Sequence, residues 1–209
     1  MAGRWRQTTP DELATWLEPV PVPWAFAGGW ALDLWAGHTS RTHSDIEITC
    51  LRGDLKALVD SLAGFEIVVA RNKQLSPWLA GAMPEPPFSL WLRRHGELLW
   101  DFEIVSEAHA DDAWHYRRDE RITRPLDLLF RQTPAGRMVI APEIQLLYKA
   151  KAPRERDIAD FRHFWPQLDP APRHWLMQAV AVAHPEALPM LGELERSRYP
   201  AGGAISTSS

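Results

Sequence analysis

Two acidic pairs share one spacing, Asp45 with Glu47 in SDIEIT and Asp101 with Glu103 in LLWDFEIV. In a strand, residues i and i+2 point to the same face, so each pair presents two carboxylates together while Ile46, Ile48, Phe102 and Ile104 face the core. Magnesium takes hard oxygen ligands, and two divalent ions roughly 3.5 to 4 Å apart can activate an attacking oxygen and offset charge on a phosphoryl group. Asp45 and Glu47 supply two such ligands; a neighbouring strand that brings Asp101 alongside makes three. Three close carboxylates repel one another unless a cation sits among them. Just upstream, FAGGWALDLW runs from a short strand through Gly28 and Gly29 into a helix, a local structure that brings backbone N–H groups to a phosphate.

The elements that must position these groups are legible from periodicity and punctuation. Thr9 is a good N-cap with Pro10 at the first helical position, and Leu13, Trp16 and Leu17 make an apolar stripe. PVPWAFAGG predicts a short strand and WALDLWAG a helix stopped by Gly37, after which HTSRTHS leads into a strand from Asp45 to Cys50. GDLKALVDSLAG has helical spacing, and FEIVVAR is β-branched enough for a strand. LAGAMPEPPFS holds three prolines and predicts a loop, followed by two strands around His95 and Gly96. Beyond a charged, interrupted stretch with strands near RITRPLDLLF and GRMVIA, the chain turns helical from Ala141 with a break around Pro153. This divides the chain into an α/β domain over 1–137, a helical unit over 138–199, and a disordered tail over 200–209.

Composition narrows the function. At 209 residues the chain can bury a sizeable core, and its single cysteine, Cys50, reads as a small core residue of a cytoplasmic protein with no internal disulfide. No apolar run reaches signal-peptide length or the roughly 20 residues of a membrane span. A net charge of -4 argues against a broad electrostatic footprint for nucleic acid. Several of the eleven tryptophans fall near the site segments, where core or cleft-wall packing is the expected role.

AGGWALDLWAGHTSRTHSDIEI resembles the nucleotidyltransferase superfamily, in which a Gly-Gly or Gly-Ser turn precedes an Asp-x-Asp/Glu strand and a third acid follows. More narrowly, the chain is similar to the aminoglycoside 2''-adenylyltransferase branch in its G-G-W-A start, its Arg-x-His before the acidic pair, a later acidic strand, and a PE-x-x-LL-x-K helix at Pro142, Glu143, Leu146, Leu147 and Lys149. The resemblance implies an α+β fold, a small mixed β-sheet core flanked by helices and followed by a small C-terminal helical unit. It implies that Gly28 and Gly29 hold a triphosphate through backbone N–H groups and that Asp45 and Glu47 bind Mg²⁺, with two ions expected. Asp101 would be the third acid, a general base that also touches metal, and Glu103 would face the acceptor. Glu47 stands where the commonest motif has Asp, a longer arm with the same charge. Arg41 suits bidentate phosphate contact, His43 suits orienting a carboxylate beside the nucleotide, and Lys149 is the expected triphosphate contact from the helical unit.

The activity implied is transfer of AMP from ATP to a hydroxyl of a small molecule, an aminoglycoside-like antibiotic being the model acceptor, with release of pyrophosphate. Glu103, Glu107, Asp111 and Asp112 follow the third acid and would hold amines of a polycationic acceptor. Two other functions fit the same residues: a toxin-like nucleotidyltransferase acting on tRNA or protein through YRRDERITR and KAKAPRER, and a catalytically silent nucleotide-binding module.

Overall fold

Helix α1 (Pro10–Trp16) opens with a reciprocal capping box: the Glu12 amide donates to the Thr9 hydroxyl at 3.3 Å, and the Thr9 amide to the Glu12 carboxylate at 2.9 Å. Strand β1 (Ala25–Ala27) feeds directly into α2 (Gly28–Ala36), which Gly37 ends in the left-handed region at φ +75°. Then come β2 (Glu47–Leu51), α3 (Leu55–Asp60), β3 (Phe65–Arg71) and β4 (Gln74–Pro77). The hairpin β5 (Ser89–Arg94) and β6 (Phe102–Ala110) turns through Gly96, and β7 (Ala113–His115), β8 (Thr123–Pro125), β9 (Phe130–Gln132) and β10 (Met138–Ile140) complete the strands of this computed structural model. It describes residues 4–79 and 83–198; part of the proline-rich loop and the expected tail over 200–209 lie outside the described residues.

The sheet runs β4-β3-β5-β6-β2-β1-β10-β9, with β7 pairing the far half of β6 and β8 pairing β7. It is mixed: β2–β6 and β1–β10 are parallel and the other pairs antiparallel. Its core face carries Phe26, Ile48, Cys50, Leu90, Leu92, Phe102 and Ile104, all at most 1 % exposed. Each such side chain contributes roughly 1.5–3 kcal/mol by burial, which is what holds the register. Strand β4 was not foreseen, because QLSP has little apolar content; it forms by pairing with β3 from Val68↔Pro77 to Arg71↔Gln74.

The chain forms two compact units, Met1–Gln145 and Leu146–Ser209. The boundary falls inside α4 (Pro142–Ala150), eight residues beyond the expected 137/138 division. In the second unit α5 (Glu155–Phe164), α6 (Pro170–Ala183) and α7 (Leu188–Arg198) follow, and the fully buried Trp165 donates its indole N–H to Glu195 at 3.0 Å. The break expected near Pro153 is the gap between α4 and α5. Among the described residues no helix is long and apolar enough to cross a membrane.

Cys50 is fully buried, and burial, with Asp54 and Glu107 nearby, pushes its thiol up to about 12. Its thiolate is therefore absent at neutral pH. We expect iodoacetamide at pH 8 to leave the native protein unmodified and to alkylate it once unfolded; rapid native-state labelling would contradict the buried placement.

Candidate active site

The acidic strands sit side by side. Strands β2 and β6 pair in parallel with Glu47 directly opposite Glu103, and the Glu103 amide donates to the Ile46 carbonyl at 3.0 Å. Cross-strand partners share a face at about 5 Å, so these two carboxylates meet on the non-core face. Asp45, two residues before Glu47, adds its charge to the same place: burial first, then the charges of Glu47 and Asp45, push the Glu103 carboxyl up to about 8 against the opposing influence of Ser89 and Trp91.

Asp101 is elsewhere. It precedes β6 by one residue, and its fully buried carboxylate accepts from the Arg94 amide at 2.8 Å and lies 3.3 Å from the Arg94 guanidinium and 3.4 Å from that of Arg6. Two cations and an amide satisfy it, and it is not brought to Glu47. Where Asp101 was expected beside the first pair, the structure sets Glu103 opposite Glu47 and pairs Asp101 with Arg94 and Arg6. The i, i+2 rule holds only inside a strand, and Asp101 falls at the mouth of the β5–β6 hairpin, where its charge is spent on Arg94.

The glycines explain themselves by what a side chain would strike. Gly28 adopts φ +69°, and a Cβ there would lie 2.7 Å from Glu47 Oε2. A Cβ on Gly29 would overlap the His43 ring and lie 2.8 Å from Arg41 Nη2. Bare backbone therefore lets Glu47, His43 and Arg41 close on the start of α2, whose first turn has no side-chain cap. An uncapped helix N-terminus beside a guanidinium and an imidazole suits an anion. The Gly28 amide is already committed, donating to Gln145 Oε1 at 2.8 Å, so the expectation that it holds phosphate is revised: Gly28 serves by conformation and room.

Asp33 organises the loop that carries Arg41 and His43. One oxygen lies 2.6 Å from His43 Nε2 and the other accepts from Ser40 at 2.6 Å, with Asp33 and His43 both buried. Trp30 packs on the imidazole at 4.6 Å. The signal was available: Asp33 lies one turn into α2, on the helix that starts at the glycines.

The PE-x-x-LL-x-K stretch is held by ion pairs within each unit. Glu143, fully buried, pairs with Arg124 at 2.5 Å and lies 3.6 Å from Arg131. In the second unit Lys149 lies 2.8 Å from Asp160 and 3.3 Å from Asp157. Its ammonium is engaged by two carboxylates there. Several cations of the stretches expected to form a basic groove are paired with acids: Arg121 with Asp119, Arg124 with Glu143, Arg154 with Asp157.

A hard divalent cation fits this site by donor chemistry. Asp45, Glu47 and Glu103 offer carboxylate oxygens, and Glu103 holds its proton because burial and the charges of Glu47 and Asp45 disfavour its ionised form. Among the described residues no three such side chains already close on a common point.

Residues 11–77 match the family model of aminoglycoside-2''-adenylyltransferase, a stretch that covers α1, the glycine turn, the Asp45–Glu47 pair and the β3–β4 hairpin. A search of curated protein sequences gives no match. Among solved structures, the chain is similar to the lincomycin-bound lincosamide antibiotic adenylyltransferase LnuA, at 22 % identity and TM-score 0.50, over 75 % of this chain and 96 % of that one. It is also similar to ANT(2")-Ia in complex with adenylyl-2"-tobramycin (18 %, TM-score 0.40, 90 % and 95 %) and to an antigenic nucleotidyltransferase-like protein from Paracoccidioides brasiliensis (18 %, TM-score 0.44, 88 % and 94 %). The likeness to LnuA bears out the α+β fold, a mixed sheet flanked by helices.

Two measurements probe this geometry. Because the folded protein binds a proton on Glu103 that the unfolded chain, with an ordinary carboxyl near 4.5, has lost, stability without divalent ions falls as pH rises from about 4.5 to about 8. Glu103→Gln flattens that fall in thermal melts; an unchanged slope contradicts the buried, repelled carboxyl. Gly28→Ala costs about 1–3 kcal/mol in denaturant titrations through its left-handed backbone, whereas Gly53→Ala, with nothing within 4 Å of the added Cβ, changes stability little.

Proposed function

We propose that this chain, with its aminoglycoside-2''-adenylyltransferase-like segment over residues 11–77, is a nucleotidyltransferase that moves AMP from ATP to a hydroxyl of a small molecule and releases pyrophosphate. The observation that carries the reading is Glu103 facing Glu47 in register beneath Gly28, with Asp45 adding its charge. Such a group of like charges is costly unless a cation belongs there. The antibiotic acceptors named for LnuA and ANT(2")-Ia, lincomycin and tobramycin, supply the kind of molecule to try.

In the mechanism this supports, Asp45 and Glu47 hold Mg²⁺, which, when bound, offsets charge on the triphosphate. The start of α2 at Gly29, with His43 held by Asp33 and Arg41 beside it, would receive the phosphates. The acceptor hydroxyl oxygen forms a bond to the α-phosphorus, the bond from that phosphorus to pyrophosphate breaks, and the hydroxyl proton passes to a Glu103 carboxylate oxygen. Glu103 thus takes the base role expected of Asp101, two residues later. Catalysis requires the unprotonated Glu103.

Pyrophosphate release, with ATP and Mg²⁺ crossed against lincosamides, aminoglycosides and RNA, tests the reading. Asp45→Asn and Glu103→Gln should each reduce acceptor-dependent release by at least about 100-fold, while Asp101→Asn lowers the melting temperature and keeps turnover. Loss of turnover in Asp101→Asn with retention in Glu103→Gln would return the base to Asp101. Release dependent on RNA alone would transfer the chemistry to a macromolecular acceptor.

A further inference from the structure

The acids once expected to grip a polycationic acceptor are not placed to do so. Glu107 is fully buried and accepts from the Trp114 indole at 2.7 Å and from Thr49 at 3.3 Å. Asp111 and Asp112 lie eight and nine residues beyond Glu103, past the end of β6, which at about 3.3 Å per residue is roughly 26–30 Å away. Glu66, on the same sheet face as Glu103, is bound at 2.8 Å through both oxygens by Arg93.

What adjoins Glu103 instead is apolar. One cross-strand row runs Glu47↔Glu103↔Trp91↔Val68↔Pro77 through β2, β6, β5, β3 and β4. Strands stand about 4.8 Å apart, so Trp91 is the immediate neighbour of Glu103 and Pro77 lies about 14 Å from it. In the next row, two residues along, Ala70 pairs with Leu75. A cavity of about 250 Å³ is bounded by Trp91, Ala70, Leu75 and the β3–β4 turn over 71–74. Trp91 is braced edge-on by Trp5 at 4.9 Å and Trp100 at 5.8 Å, and its indole opposes the upward push on the Glu103 carboxyl next to it. Leu75 is 46 % exposed, apolar surface left open at the far side of this cavity from Glu103. The charges on the turn are positive, Arg71 and Lys73.

The geometry points to an acceptor with an apolar face and at most one positive charge, seated on Trp91 and Leu75 so that its hydroxyl reaches Glu103. This rests on the transfer reading of the site and narrows it: a rigid aromatic wall beside the Glu103 carboxyl selects an amphipathic hydroxyl compound, and the cationic turn disfavours a polyamine.

Saturation-transfer NMR on the full chain separates the two, with lincomycin, which has one amine and an alkyl tail, against tobramycin, which has several amines. Lincomycin should bind with saturation concentrated in its alkyl protons, and at least 10-fold more tightly than tobramycin. Trp91→Ala and Leu75→Asp should each weaken it at least 10-fold; Leu75 is at the surface, so the second variant keeps its fold if the first does not. The double variant Arg71→Glu, Lys73→Glu should bring tobramycin to within a few-fold of lincomycin. Equal or tighter binding of tobramycin by the native chain, failure of lincomycin to bind, or lincomycin binding unaltered in Leu75→Asp overturns the assignment. Because this readout needs no turnover, lincomycin binding without pyrophosphate release would count against the transfer reading alone.

Discussion

The parallel pairing of β2 with β6 is the constraint from which the rest of the site follows. It sets Glu47 against Glu103 about one strand spacing apart on a face that is otherwise half covered. The core face holds that register: slipping by one residue would send Ile48, Cys50, Phe102 and Ile104 to solvent and the acids into the core, a loss of many kcal/mol. Mutual repulsion of the carboxylates is thus imposed by hydrophobic burial on the reverse side of the same strands. The left-handed Gly28 is the second half of the constraint, since any side chain there would occupy the space of the Glu47 carboxylate.

Several other acids are paired with cations. Asp101 has Arg94 and Arg6, Glu143 has Arg124, Asp157 and Asp160 share Lys149, and Glu66 has Arg93. For Asp157 burial alone would raise the carboxyl, yet hydrogen bonds from Arg154 and the charge of Lys149 hold it down to about 2. Glu103 goes the other way, to about 8. The contrast separates charges that fasten the fold from charges kept in want of a counterion, and the latter mark a place for chemistry.

Beside that acidic centre the sheet changes character within one strand. Trp91 stands next to Glu103, and the surface beyond it is aliphatic with a cationic turn. The same strand, β5, separates the two acidic strands' chemistry from the β3–β4 hairpin, so the acidic and apolar parts of the sheet lie on one continuous face. Asp33 performs a parallel service on the other side, where its two oxygens fix Ser40 and His43 and so hold the Arg41 loop against α2.

Much of this was legible in the chain. The glycine turn, both acidic strands, the β5–β6 hairpin and the helical C-terminal third follow from local rules of periodicity, capping and backbone conformation, which depend on near neighbours alone. What the sequence could not decide was which acid of the second pair meets the first. Asp101 and Glu103 have the same spacing as Asp45 and Glu47, but only the tertiary structure shows that β6 starts at Phe102 and that Arg94 and Arg6, distant in sequence or across a turn, claim Asp101. The same holds for Gln145 taking the Gly28 amide and for Trp91 beside Glu103. Residue type and spacing determined that carboxylates and a glycine turn would be present; strand register and long-range ion pairing decided which acids face one another and which pair with cations, because those depend on contacts between segments rather than within them.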